Sequence, residues 1–537
     1  MSPSLGQGVK CERSPFRACT SGRIRFAFPE PMIRAIFFTT LLLPLALGQA
    51  LGSEWNQYRG PNGSGLARDS QPPIKPSSDN LAWQTEISPG FSAPVLSAKR
   101  IFLTGLAKGR LVTLALDRAN GKILWQKKAP KVELEKVHKA SHPATSSALV
   151  SGHRVFAYFG SYGLLCYDLD GRELWKKPMP TPKTLYGMST SPIAHRDLVI
   201  MALDNDANLP DSRLSQSKVV AFRQSDGGVA WEIPRPFHRS GWSTPMIWQH
   251  SRGTELVVLG NGRVSGYDMK SGSQKWFVPG FSRETISTPV AGKDVLYVSS
   301  SKLGGGADIQ PDPLPFWEAV IQFDKNGDGK LERKEMTGHF TFPIRPELPP
   351  GHPGFGIPLP SDKKRRQDRL DGIFRGTDRN RDNFWTKEEF IGNMRGGRGK
   401  PLLIAIRPGG QGDITDTHLK WELNRSIPEI PSPLLYDGVI YMVRNGGLLA
   451  AVDSKNGKLL YRERLNAPGQ FSASPIGANG HVYLSSNRGV ITVVKNGREF
   501  DIVHQHDLKD AIHATPAIDQ NTLYVRTEKT IQAFRVN

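Results

Sequence analysis

A short unit recurs along this chain, and its period constrains the fold more than any single residue does. In the clearest copy, LVTLALDRANGKILWQ, an apolar β-branched strand runs into a turn made by Asp117, Asn120 and Gly121 and then into a strand carrying Trp125. Relatives follow as LLCYDLDGRELW ending at Trp175, VVAFRQSDGGVAW at Trp231, VSGYDMKSGSQKW at Trp276, LLIAIRPGGQGDITDTHLKW at Trp421 and LLAAVDSKNGKLLY at Tyr461, with GVITVVKNGREF at Phe500 a weaker seventh. The unit starts give an independent count. Pro94, Pro192, Pro245, Pro289, Pro433, Pro475 and Pro516 mark seven, and Thr145-Ser146-Ser147 stands where an eighth belongs. With Ser147 as that mark the spacings are 53, 45, 53, 44, 144, 42 and 41 residues. The long interval holds a segment of about 97 residues, Gly304 to Lys400, and without it returns to about 47.

A period of this size with four short strands per unit predicts the blades of a β-propeller. One such sheet cannot bury both of its faces, so blades must stack radially, and the ring must close to leave no open sheet edge. The last unit stops at IQAFRVN without its Trp strand, while a spare strand, LAWQTEI with Trp83, precedes the first complete unit. Trp83's strand is therefore expected to become the outermost strand of the last blade. The fold class read here is all-β: an eight-bladed propeller made by residues 80–303 and 401–537, preceded by a leader at 51–79 and interrupted in its fifth blade by an α-helical insertion at 304–400. The 54 Gly and 41 Pro suit many turns, and three cysteines exclude a disulfide scaffold.

Residues Ala35 to Leu47 form a 13-residue apolar run after Arg34 and before Gly48-Gln49-Ala50, the pattern of a secretory signal peptide with cleavage near Ala50. A start at Met32 gives this signal its usual proportions. The run is shorter than a membrane span, and no Cys follows it to carry a lipid anchor. Removing residues 1–50 takes Cys11 and Cys19 away, leaving Cys166 as a small buried strand residue. It also removes six Lys/Arg and two Asp/Glu, lowering the formal charge from +20 to +16. Basic runs such as Lys363-Lys364-Arg365-Arg366 suit an anionic envelope component or peripheral membrane contact. No nucleic-acid-binding module is present, so nucleic acid is not an expected partner.

The offsets of Asp, Gly and Trp in ALDRANGKILWQ resemble the pyrroloquinoline quinone (PQQ)-like repeat of exported eight-bladed propellers. That resemblance covers about residues 80–303 and 401–537. It implies one of two groups: quinoprotein alcohol dehydrogenases, which hold PQQ and calcium in the central pocket, or proteins similar to the β-barrel assembly lipoprotein BamB, which have no cofactor and act as binding scaffolds. The leader Trp55-Asn56-Gln57-Tyr58-Arg59-Gly60-Pro61-Asn62-Gly63 also looks like that of bacterial secreted members. The adjacent cysteines often found beside the quinone are missing, and no local motif assigns cofactor-binding or catalytic positions. Trp242, beside the Thr244-Pro245 start, is the one candidate to floor a pocket.

The insertion carries the sharpest chemical motif. Asp324-Lys-Asn326-Gly-Asp328-Gly329-Lys330-Leu-Glu332-Arg-Lys-Glu335 matches the twelve-residue EF-hand loop. A hard Ca²⁺ wants six to eight oxygens, here from Asp324, Asn326, Asp328, the Lys330 carbonyl and bidentate Glu335, with Gly329 at the bend. A second loop repeats the spacing with Asp378, Asn380, Asp382, the Phe384 carbonyl and Glu389, Asn383 replacing the glycine. Arg379 and Arg381 add positive charge there, so the second site is expected to be the weaker. FWEAVIQF before the first loop and LERKEMTGHF after it are expected to form helices, and Leu331 to pair the two loops through a short strand contact. Between the loops TFPIRPELPPGHPGFGIPLP, with seven prolines in 20 residues, predicts an extended connector. His339 and His352 show no metal-binding spacing.

With no nucleophile, base or acid constellation to name, the reading is an exported, periplasmic or secreted calcium-binding propeller that acts as a protein-interaction or envelope-assembly scaffold. The alternative is a PQQ-dependent alcohol or sugar dehydrogenase.

Overall fold

The computed structural model describes residues 55–184, 186–205, 216–235, 238, 241–282, 284–301, 313–336, 340–343, 346, 348–352, 355–378, 380–394 and 401–536. The apolar run at 35–47 and the cleavage site near Ala50 lie outside them. Eight four-stranded antiparallel blades follow one another along the chain, the fourth with a short fifth strand added in parallel. The first blade is Val95–Leu96, Arg100–Ala107, Arg110–Asp117 and Ile123–Lys128, and the others repeat this order. In every blade the second and third strands are buried across both faces, as Ile101 to Leu103 and Leu114 to Leu116 are, because neighbouring blades cover them. The outer strands alternate instead, with Leu81–Glu86 running partly buried, exposed, partly buried along its length.

Closure follows the sequence-based expectation. Leu81–Glu86 pairs antiparallel with Thr530–Arg535, so the eighth blade takes its outermost strand from the start of the propeller.

The Asp-Gly-Trp repeat has a physical origin in the contact between blades. Asp117 Oδ1 accepts the N–H groups of Ala119 and Asn120, closing the turn between third and outer strands; Asp268 does the same for Lys270 and Ser271. The glycine of that turn is the seat of the tryptophan from the preceding blade. At Gly121 (φ +75°) a Cβ would stand 2.4 Å from the Trp83 ring. The indole N–H then donates to a turn carbonyl: Trp83 to Arg118, Trp125 to Leu169, Trp175 to Gln224 and Trp421 to Ser454, at 2.9–3.2 Å. Trp231 sits on Gly272 without a partner for its indole N–H, and Trp276 departs further. The following turn, in the fifth blade, is longer and adds Gly412–Asp413 as a parallel partner to the outer strand of Trp276, whose N–H turns inward to Glu255.

The unit starts interlock around the axis. The start residue of each blade is the one just before its proline position, and at six junctions its N–H donates to the hydroxyl of the next blade: Ala93 to Ser147, Ser147 to Ser191, Ser191 to Thr244, Thr288 to Ser432, Ser432 to Ser474 and Ser474 to Thr515. This register corrects one mark. The residue equivalent to the prolines is Ala148, because Ser147 belongs with the hydroxyls that precede them. A second belt runs one residue earlier, with the hydroxyls of Ser146, Thr190 and Ser243 donating to the carbonyls of Thr190, Ser243 and Ser287.

The leader from Trp55 onward is part of the ring. Trp55 meets Leu96 of the first blade, Asn56 pairs with Val150 of the second, Asn62 brackets Ile247 of the fourth, Arg59 donates to Pro433 of the sixth, and Gly65 and Ala67 pair with Gly477 of the seventh. A segment bonded to blades on opposite sides of a ring crosses its axis. Trp55 and Arg59 are fully buried there.

The segment between Ser300 and Leu402 replaces the hairpin turn of the fifth blade, whose second and third strands pair from Leu296 with Ile406 to Ser300 with Leu402. Its described helices are Leu314–Ile321, Lys363–Thr377 and Lys387–Met394. Among the described residues of LERKEMTGHF after the first loop no helix forms: Leu331–Glu332 is a strand, Arg333 to Met336 make one turn, and Met336 and Phe340 enter a core with Trp317, Leu370 and Trp385. The proline-rich connector holds the two-stranded pairing of Thr341–Pro343 with Gly356–Pro358.

Candidate functional site

Two regions carry chemistry beyond packing, a cavity on the propeller axis and the paired loops of the inserted segment. The cavity has a volume of about 350 Å³. Its wall is set by the repeat register: the residue two places before each start residue lines it, one from every blade, the large ones being Phe91, Trp242, Ile286, Ile430 and His513. Tyr58 of the leader also lines it, and the leader's hydrogen bonds to residues further along the inner strands put it at the end of the cavity away from the interblade loops. Those loops supply His138, Tyr186, Glu284, Glu429, Asn445 and Gln470.

Aromatic rings form one side. Phe91 stacks on His513 with centroids 4.3 Å apart, and Tyr186 stands edge-on to both Trp242 (5.2 Å) and His138 (5.1 Å). Trp242 is 6% exposed and donates to the Gly187 carbonyl at 2.7 Å, so this ring both packs and lines the cavity. Burial lowers the pKa of His513, and burial with Arg526 nearby lowers that of His142 to about 4, leaving both neutral near pH 7. On the other side Glu429 is held by Arg444 at 3.2 Å through Oε1, while its Oε2 is buried without a hydrogen-bond partner. Behind the Tyr186 loop, burial raises Glu135 to about 7, offset in part by the Met188 N–H. No Lys or Arg is among the described residues that line the cavity.

PQQ is a tricarboxylate, and no Lys or Arg among the described residues lining the cavity stands to pair its carboxylates. Cys166 is fully buried in the second blade, and burial pushes its thiol up to about 12.

In the inserted segment the two loops lie side by side, with Leu331 paired to Trp385 and Glu332 to Phe384. Their backbones match at the fourth and sixth positions. Gly327 and Gly329 are left-handed (φ 73° and 78°), and so are Arg381 and Asn383 (φ 63° and 69°). In the first loop Asp324 accepts from the N–H groups of Gly327 and Gly329, Asp328 from Lys330, and the nearly buried Glu335 reaches back to Lys325 and Asn326. In the second, Asp378 accepts from Arg381, Asp382 and Asn383, Asp382 from Phe384, and Glu389 from Thr386. Among the described residues no group of three or more His, Cys, Asp or Glu side chains is gathered closely enough to hold a metal ion.

Sequence reasoning singles out the loops and Trp242 but misses the rest of the cavity. The available signal is the repeat register, since counting two residues back from each start reaches the wall.

The family described as outer membrane protein assembly factor BamB matches residues 73–326 and 411–537. The match runs past Ser300 into the first loop of the inserted segment. Among solved structures, BamB from Moraxella catarrhalis is 11% identical, covering 84% of this chain and 98% of its own, with a TM-score of 0.47. The computationally designed Ika8 protein is 9% identical over 85% of this chain and 100% of its own, TM-score 0.47. A europium-containing methanol dehydrogenase is 13% identical over 83% and 89%, TM-score 0.45. No curated protein matches.

Proposed function

Because the chain belongs to the family of the outer membrane protein assembly factor BamB, we propose that it is an exported propeller scaffold that binds a protein partner in the cell envelope and holds Ca²⁺ in its two inserted loops. The observation that carries the calcium reading is the matched backbone of the loops, with left-handed residues at the same two positions and hard oxygen donors at the first, third, fifth and twelfth. Asp324, Asn326, Asp328, the Lys330 carbonyl and Glu335 would hold one ion; Asp378, Asn380, Asp382, the Phe384 carbonyl and Glu389 the other. The bound ion would supply charge neutralisation between carboxylates that otherwise rest on backbone N–H groups. Arg381 inside the second loop makes it the weaker site.

Export is supported by the apolar run at 35–47 and by the family. No described helix is long and apolar enough to cross a membrane. The scaffold reading rests on the family together with the closed ring, which presents interblade loops on one face and the insertion at one blade.

Calorimetric calcium titration of the chain lacking residues 1–50, beside a Glu335→Gln, Glu389→Gln variant, tests the calcium reading. Two saturable sites, lost in the variant, are expected. No heat up to millimolar calcium would reduce the loops to turns and leave the propeller alone as the binding surface.

A further inference from the structure

The axial cavity has a makeup that neither calcium nor a protein partner uses. Its aromatic side offers ring faces and edges of Phe91, Tyr186 and Trp242, and its opposite side offers Glu429, Asn445 and Gln470. Three observations narrow the ligand. No described lining residue is Lys or Arg, which disfavours an anion. Of the two glutamates that line the cavity, Glu429 is already paired with Arg444, so its charge is not left over for a free cation. The volume, about 350 Å³, lies within the range of small-molecule sites.

We propose that this cavity binds a small neutral saccharide, its apolar C–H face on the aromatic side and its hydroxyls on Glu429, Asn445 and Gln470. A sugar ring has one apolar face and a rim of donors and acceptors, which is the division the cavity walls show. The neutral imidazole of His513 extends the stacking surface without adding charge. Tyr58 stands at the far end, so the ligand enters from the interblade loops, past His138 and Tyr186. This inference goes beyond the scaffold reading and does not depend on it.

Isothermal titration of the full chain with glucose, N-acetylglucosamine and cellobiose, with choline chloride and sodium phosphate as charged comparators, tests it. Saturable binding of at least one saccharide with a Kd of about 1 mM or tighter is expected. Glu429→Gln and Gln470→Ala should each weaken it about tenfold. Gln470 is exposed, and its hydrogen bonds in the fold are made by its backbone to Asn487, so Gln470→Ala carries the test if Glu429→Gln does not fold. Failure of every saccharide at about 10 mM with an intact unfolding transition would overturn the proposal. So would binding of choline or phosphate alone, or saccharide binding that survives both cavity variants.

Discussion

Six of the eight junctions between blades are made one way, and the junction that closes the ring is made another. At the six, a backbone N–H donates to a Ser or Thr hydroxyl of the next blade, a neutral bond that any repeat can supply from its own start residue. At the seam between the eighth and first blades the residue in that register is Ala93, which has no hydroxyl. Two arginines act there instead. Arg526, fully buried, donates to Ser88, Ser92 and Thr104 of the first blade, and Arg118 of the first blade reaches Asp519 and Tyr524 of the eighth. Burial lowers Arg526 to about 9, the cost of keeping a guanidinium out of water. The difference shows that successive units can be joined by weak local bonds, whereas segments more than 400 residues apart in sequence are held by donors that each satisfy several carbonyls at once.

The largest expected effect comes from removing the seam's strand. Deleting residues 81–86 exposes the edge of Thr530–Arg535 along its length and strips the Trp83 ring from Gly121. Loss of the single cooperative transition is expected in calorimetry, with aggregation through the open edge. An unaltered melting curve would mean that the ring does not need this strand. Next is Arg526→Met, which keeps bulk but leaves several buried carbonyls without donors. It should cost about 3 kcal/mol or more in chemical denaturation, more than loss of any single hydroxyl link.

A third test sharpens the comparison through pH. Glu135 braces the second and third blades, its carboxylate accepting from Met188 while the Ser161 hydroxyl accepts its N–H. Burial raises its folded pKa to about 7 from an ordinary value of 4.5. The neutral carboxyl is therefore the one the fold favours. Its full stability is present below about pH 4.5 and is lost as pH rises through about 7, an effect on the order of 2 kcal/mol. Glu135→Gln should flatten that part of the stability profile and make the variant the more stable protein at pH 8. The seam should not follow, because Arg526 stays charged through this window.

The parts of this fold that can be read in advance are those whose cause lies within one unit. The Asp-Gly-Trp turn, the missing outer strand of the eighth blade and the two inserted loops each leave a contiguous trace. The cavity does not, because one residue per blade builds its wall and the intervals between them are of repeat length. Neither does the role of the leader, whose buried Arg59 makes sense only against Pro433, 374 residues away. The helix expected after the first loop fails for the opposite reason. Its local pattern is amphipathic, but Leu331–Glu332 is drawn into the strand pairing of the two loops and Met336 into the shared core.

The smallest effect expected is also the most direct test of why the two kinds of junction differ. Ser474 is 1% exposed, and its hydroxyl accepts the N–H of Ser432 at 2.9 Å. Ser474→Ala gives this ordinary junction the residue that the seam has at Ala93. If the hydroxyl belt holds the blades together, the variant strands a buried N–H and should lose about 1–2 kcal/mol, because no arginine stands at this junction to compensate. The same substitution made together with Arg526→Met should be additive, since the two sites share no partner. A cost near zero for Ser474→Ala would instead mean that the belt merely records how blades stack, with the Trp-Gly contacts and the buried strands carrying the junction.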